Sequence, residues 1–135
     1  MQLPEKVKAL FTTISTLAMA TVRPDGTPNV VAMGRKYWFQ EDQLIIGDMF
    51  MKATKQNVVD NGRVSLCVWD DTSGESYKLI GTGRYETSGE ALDFANSELQ
   101  KHKPGKKFKG VVIFEPTEVY DAARGECAGD LITRQ

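Results

Sequence analysis

Short segments of strand character, each closed by a turn signal, follow one another through most of this chain, and regular strand–helix–strand alternation is absent. Thr16 to Arg23 (TLAMATVR) reads as a strand with small residues, Ala18 and Ala20, directed inward. Pro24-Asp25-Gly26 is a strong turn signal, and Pro28 to Ala32 starts the return strand. Gly34 suggests a bulge or a close backbone approach. Lys36 to Gln40 continues as strand, Glu41-Asp42-Gln43 turns it, and Leu44 to Gly47 is a fourth strand. Arg63 to Trp69 alternates Val64, Leu66 and Val68 against Ser65, Cys67 and Trp69. Ser76 to Glu86 is a long strand with Gly81 and Gly83 on one face, which fits a strongly coiled barrel strand or close contact with a ligand or partner. Val111 to Phe114 reads as a buried strand, extended by Glu118-Val119-Tyr120, and the tail from Asp121 has no clear period.

Three helices punctuate this series. Pro4 opens the first, with Val7, Leu10, Phe11 and Ile14 at helical spacing. Met51 to Asn61 is the second. Ser88 is a candidate N-cap for the third, Glu90 to Lys101, which places Leu92, Ala95 and Leu99 on one face. Hairpin-rich strands with few helices favour a mainly β architecture: a closed or nearly closed, Greek-key-like antiparallel β-barrel with peripheral helices, because closure removes exposed strand edges. The 135 residues suit one domain, 1–135.

Charge and cysteine usage exclude several function classes. With 17 basic and 18 acidic residues the net charge is -1, so no general attraction to nucleic acid or anionic membrane is expected. No apolar run approaches a membrane span, and the charged start MQLPEKVKAL does not read as a signal peptide. A cytoplasmic protein is expected. Cys67 and Cys127 lie far apart and read as reduced thiols, and no His/Cys cluster suggests a metal.

The stretch richest in chemistry is Gly47 to Asn57 (GDMFMKATKQN), where a strand ends at a glycine and a short loop leads into a helix. Lys52, Thr54 and Lys55 occupy its first turn. Free N–H groups at a helix start, with the macrodipole, favour an anion. Lys52 adds positive charge and Thr54 a hydroxyl donor, a combination that suits a terminal phosphate monoester. Lys and Thr at such a place also serve as plain solvated or capping residues.

Gly47 to Val68 (GDMFMKATKQNVVDNGRVSLCV) resembles the signature of the FMN-binding split-barrel proteins related to pyridoxamine 5'-phosphate oxidase. The matching pattern is Lys52, Thr54, Asn57, and then Asn61-Gly62-Arg63-Val64 opening the next strand. The LAMATVRPDGTPNVVAM hairpin and Lys78 to Glu86 (KLIGTGRYE) are similar to the family's first hairpin and later strand, so the resemblance covers nearly the whole chain. It implies an FMN at a homodimer interface. Lys52, Ala53 and Thr54 would hold the phosphate, and the backbone of Val31-Ala32-Met33 and of Gly47-Asp48-Met49 would line the isoalloxazine. Lys78 stands where the oxidases have a flavin-contacting Gln from the partner subunit.

The vitamin-B6 oxidases also carry a C-terminal Trp/Arg/His set around the flavin and pyridoxal ring. This chain ends Gly125-Glu126-Cys127-Ala128-Gly129-Asp130-Leu131-Ile132, without that set, so B6 oxidase activity is not expected. The expected function is an FMN-binding flavoprotein, a flavin-dependent oxidoreductase or electron-transfer protein served by a nicotinamide donor or an electron-transfer protein. The alternatives are a non-catalytic FMN storage or sensing protein and a barrel interaction domain. The catalytic residues stay unassigned. His102 reads as a solvated helix-end residue. Trp38, Trp69 and Tyr77 read as core or interface residues, with stacking near a flavin as the sharper alternative. The Lys103 to Lys109 run reads as a solvated loop, or as a guide for an acidic or phosphorylated partner.

Overall fold

The computed structural model describes all 135 residues and contains one eight-stranded antiparallel sheet with three α-helices. In chain order these are α1 (Glu5–Thr13), β1 (Leu17–Val22), β2 (Pro28–Met33), β3 (Lys36–Phe39), β4 (Gln43–Asp48), α2 (Ala53–Asn61), β5 (Arg63–Trp69), β6 (Ser76–Glu86), α3 (Glu90–Gln100), β7 (Gly110–Asp121) and β8 (Leu131–Arg134). The strand order is β2-β1-β5-β6-β7-β4-β3, with β8 added to β7. The sheet curls into a mainly β split barrel whose ends, β2 and β3, are joined only through Gly34-Arg35. No helix is long and apolar enough to cross a membrane.

β4 shows why the sequence folds this way. Leu44 and Ile46 face the barrel interior with Leu17, Met19, Leu66, Leu79 and Phe114. Ile45 points the other way, into a second cluster formed by Leu92, Ala95 and Leu99 of α3 with Val111 and Ile113. A strand covered on both faces must be apolar throughout, hence the unbroken Leu-Ile-Ile run. Its end at Gly47-Asp48 is therefore held rigidly. In β1 the inward residues are Leu17, Met19 and Thr21, so the expectation for Ala18 and Ala20 is corrected: they lie on the outer face. The larger apolar side chains claim the core, and the alanines take the alternate positions.

β7 runs unbroken through Pro116, joining Val111–Phe114 to its expected extension Glu118–Tyr120. Up to Phe114 one of its edges pairs with β4, and from Glu118 with β8. Pro116, which has no N–H to donate, falls in the gap between these partners. Opposite it, β6 shifts register at Ile80/Gly81, and a Cβ on Gly81 would lie 2.1 Å from the Glu115 carbonyl oxygen. α3 is preceded by Gly89 (φ 109) with no side-chain cap, so the capping role expected of Ser88 is not realised.

α1 is fixed to the barrel by polar contacts. The Asp42 carboxylate accepts from Leu3 N (2.7 Å) and Lys8 Nζ (2.5 Å). Lys36 Nζ donates to the Ile14 carbonyl (2.6 Å) at the helix C-terminus, and burial pushes its pKa down.

Candidate functional site

A cavity of about 500 Å³ occupies the split of the barrel, a size that suits a small-molecule ligand. One wall is β2 and its continuation: Asn29, Val31, Ala32, Met33, Gly34 and Arg35. The other is the β4–α2 segment, Gly47 and Met49 to Thr54. Side chains alternate along a strand, yet three consecutive β2 residues border the cavity. The strand therefore presents its edge. Its other edge pairs with β1, so the unpaired N–H and C=O groups of β2 face the space.

Gly47 gives the cavity its back. A Cβ there would lie 2.3 Å from the Phe108 ring, so only glycine lets that ring seat against the strand. Gly47 N donates to the Arg35 carbonyl (3.1 Å), which joins the two walls. The next residue turns away. Asp48 is fully buried, its Oδ1 accepting from Met51 N (2.8 Å) and its Oδ2 from the Tyr85 hydroxyl (2.5 Å). Burial first, and then the Asp48 carboxylate, push the Tyr85 phenol pKa well up. The Asp48 side chain thus shapes the loop from behind the cavity, because a buried carboxylate needs donors and finds them there.

At the other end Lys52 caps α2 without a side-chain bond, and the first turn closes with Gln56 N to the Lys52 carbonyl (3.1 Å). The N–H groups of Ala53, Thr54 and Lys55 have no intrahelical partner. Thr54 Oγ1 accepts from Asn29 Nδ2 (3.1 Å), which leaves the hydroxyl hydrogen free to donate into the cavity. Asn29 Nδ2 also donates to Thr21 Oγ1 (3.1 Å), as does Asn57 Nδ2 (3.0 Å). Asn57 therefore connects to Thr54 through the shared acceptor Thr21 and then Asn29, and does not line the cavity. Asn61-Gly62-Arg63 ends the same helix: Gly62 (φ 68) is its left-handed cap, and Asn61 Nδ2 donates to the Val22 carbonyl (2.7 Å).

Of the residues singled out in the sequence, Val31, Ala32, Met33, Gly47, Met49, Lys52, Ala53 and Thr54 border one space. Asp48 and Asn57 stand behind it, and Lys78 lies outside it on β6, its ammonium 4.7 Å from the Tyr120 ring centroid. Asn29, Arg35, Phe50 and Met51 were not expected. Asn29 and Arg35 flank the β2 stretch that was read, and Phe50 and Met51 fall inside the Gly47–Asn57 motif. The cavity holds no histidine, cysteine or carboxylate. Trp38 packs on Phe11 (6.0 Å between centroids), Tyr77 is in the core, and Trp69 is exposed; none reaches the cavity.

The pyridoxamine 5'-phosphate oxidase family model matches residues 3–122. The chain belongs to that family. An uncharacterized protein of Methanocaldococcus jannaschii is 34% identical over 132 residues, covering 96% of this chain and 87% of that protein. HupZ of Group A Streptococcus has the same fold at TM-score 0.83, with 22% identity over 95% of this chain and all of the other. An FMN-binding protein of Syntrophomonas wolfei superposes at TM-score 0.77, with 15% identity over 90% of this chain and 87% of that one. HutZ, a heme storage protein of Vibrio cholerae, and an F420 reductase share the fold at TM-scores of 0.70 and 0.67. Within this fold the cofactor is therefore a matter for the residues of the individual site.

Proposed function

We propose that the chain binds FMN in the split of its barrel and acts as a flavin-dependent redox or electron-transfer protein. The observation that carries this reading is the convergence, in one cavity, of the open edge of β2 with the start of α2. The edge offers alternating donors and acceptors to the polar rim of a flat heterocycle. The helix start offers three free N–H groups, the Lys52 ammonium and the Thr54 hydroxyl to a phosphate. Met33, Met49 and Met51 between them suit the apolar ring faces.

FMN, when bound, supplies the electron-transfer chemistry. The protein's own residues bind and orient it and set its electrostatics, and the cavity lining contributes no carboxylate, histidine or cysteine. That same absence favours the second reading, an FMN store or sensor without turnover.

A C2 homodimer belongs to the proposal. Its support is the outer face of β1, β5 and β6, where the half-buried Ala18, Ala20, Ser65, Cys67 and Ile80 form a small neutral patch bordered by Lys78 and Arg63. Phe50 at the cavity rim is 88% exposed, an apolar side chain that a ligand or second copy would cover. The proposal does not extend to vitamin-B6 oxidation. The tail from Gly125 to Ile132 lies outside the cavity, and no Trp or His lines it. The test is mass spectrometry of the ligand released when the purified protein is denatured. FMN is expected, and a heme or a deazaflavin would replace this reading.

A further inference from the structure

From Leu99 to Phe114 the sequence has no acidic residue, while Lys101, His102, Lys103, Lys106, Lys107 and Lys109 fall within that span. Lys101 pairs with Glu98 at 2.9 Å. Lys103, Lys106, Lys107 and Lys109 pair with no carboxylate, and all four are exposed. The chain as a whole carries a charge of -1, so this surplus is local.

The loop that presents these lysines is tied down. Lys103 N donates to the Leu99 carbonyl (2.8 Å), Gly105 N to Gln100 Oε1 (3.0 Å), and Gln100 Nε2 to the Lys106 carbonyl (2.5 Å). Phe108 N donates to Asn96 Oδ1 (2.8 Å), and Lys109 N to the Asp48 carbonyl (2.9 Å). The last two contacts also fix its position. The Phe108 ring lies against Gly47 and Lys109 is bonded to Asp48, so the basic loop adjoins the β4–α2 wall of the cavity.

We infer that the Lys103–Lys109 loop is a docking surface for an acidic face of a partner protein, which it brings to the mouth of the cavity. The inference rests on the cofactor reading for its purpose, though not for its test. Fixed, unpaired charges steer an oppositely charged surface without the cost of ordering the loop on contact. The loop's chemistry separates a protein from other polyanions. Its cations are all lysines, hydrated point charges without the planar fork that grips phosphate and bases. Its one aromatic side chain, Phe108, is buried and offers no stacking platform for bases. Its one exposed apolar side chain, Pro104, is too small to anchor the loop in a membrane surface.

The experiment titrates the full chain, with and without FMN, against an acidic [2Fe–2S] ferredoxin, a short DNA duplex and phosphatidylserine vesicles, at low and at physiological ionic strength. The ferredoxin is expected to bind, with amide chemical-shift changes concentrated on residues 103–109 and 48–50. Its affinity should fall roughly tenfold between the two salt conditions. Replacing Lys103, Lys106, Lys107 and Lys109 together by Glu should abolish binding, and replacing them by Gln should weaken it, with unfolding temperature and FMN affinity unchanged. Tighter binding of duplex or vesicles than of ferredoxin overturns the inference. So does ferredoxin binding that survives the charge reversal, or no ferredoxin binding at low salt. If FMN does not bind, the cofactor reading falls alone, and titration of the unliganded chain still decides the docking surface.

Discussion

The Tyr85 hydroxyl donates to Asp48 Oδ2 at 2.5 Å, tying β6 to the loop that forms one wall of the cavity. Asp48 is 0% exposed, and its second oxygen holds Met51 N. Tyr85→Phe removes a bond to a charged group and should cost about 1.5–3 kcal/mol. Asp48→Ala strands two donors and should cost more. Urea denaturation measures both. The pH dependence has a definite sign. The phenol's folded pKa is raised, so the stability it supplies is complete below the unfolded tyrosine value of about 10 and is lost as pH climbs above it. Tyr85→Phe should flatten the alkaline side of the stability profile.

Gly47→Ala places a methyl 2.3 Å from the Phe108 ring, which is itself buried and cannot swing aside. Overpacking of this kind costs about 1–3 kcal/mol. Thermal melting should show the loss, and Phe108→Leu in the same chain should recover part of it. A simple additive loss in the double variant would contradict the contact.

Much of this fold was legible because local signals agree with it. Pro24-Asp25-Gly26 closes the β1–β2 hairpin as read, and the alternation of Val64, Leu66 and Val68 is the buried face of β5. β8 was missed because its four residues gain their order only from pairing with Glu118 to Tyr120. In the site, the strand–glycine–helix segment was readable from sequence. Asp48 was expected to line the isoalloxazine through its backbone, and an alternating pattern does not reveal that its side chain meets Tyr85 behind the loop. Lys78 was placed by the family resemblance against the partner subunit's flavin, and within its own chain its side chain lies over Tyr120. Asn29 and Arg35 went unnoticed because they meet the cavity only once β2 becomes an edge.

The neutral patch of Ala18, Ala20, Ser65, Cys67 and Ile80 on the outer face of β1, β5 and β6 predicts assembly. Light scattering at micromolar concentration should give twice the chain mass. Ala20→Arg, which puts a charge at the centre of that face, should give the single-chain mass without unfolding the barrel. A single-chain mass for the wild-type protein would remove the dimer from the account.

Membership of the oxidase family does not carry its reaction with it. With no Trp or His at the cavity, the FMN-loaded protein should show no turnover of pyridoxamine 5'-phosphate above free flavin. Missing polar partners for a phosphorylated pyridine cost several orders of magnitude in selectivity. Steady pyridoxal phosphate production would reverse this conclusion.

The central claim is that the start of α2 is a phosphate site. It is tested most directly by titrating the ligand-free chain with FMN and with riboflavin, following flavin fluorescence, in wild type and Lys52→Ala. The phosphate bonds predict FMN binding roughly tenfold to a thousandfold tighter than riboflavin. Lys52→Ala should weaken FMN by about tenfold to a hundredfold and leave riboflavin unchanged. Equal affinities for the two flavins in the wild-type protein would contradict it.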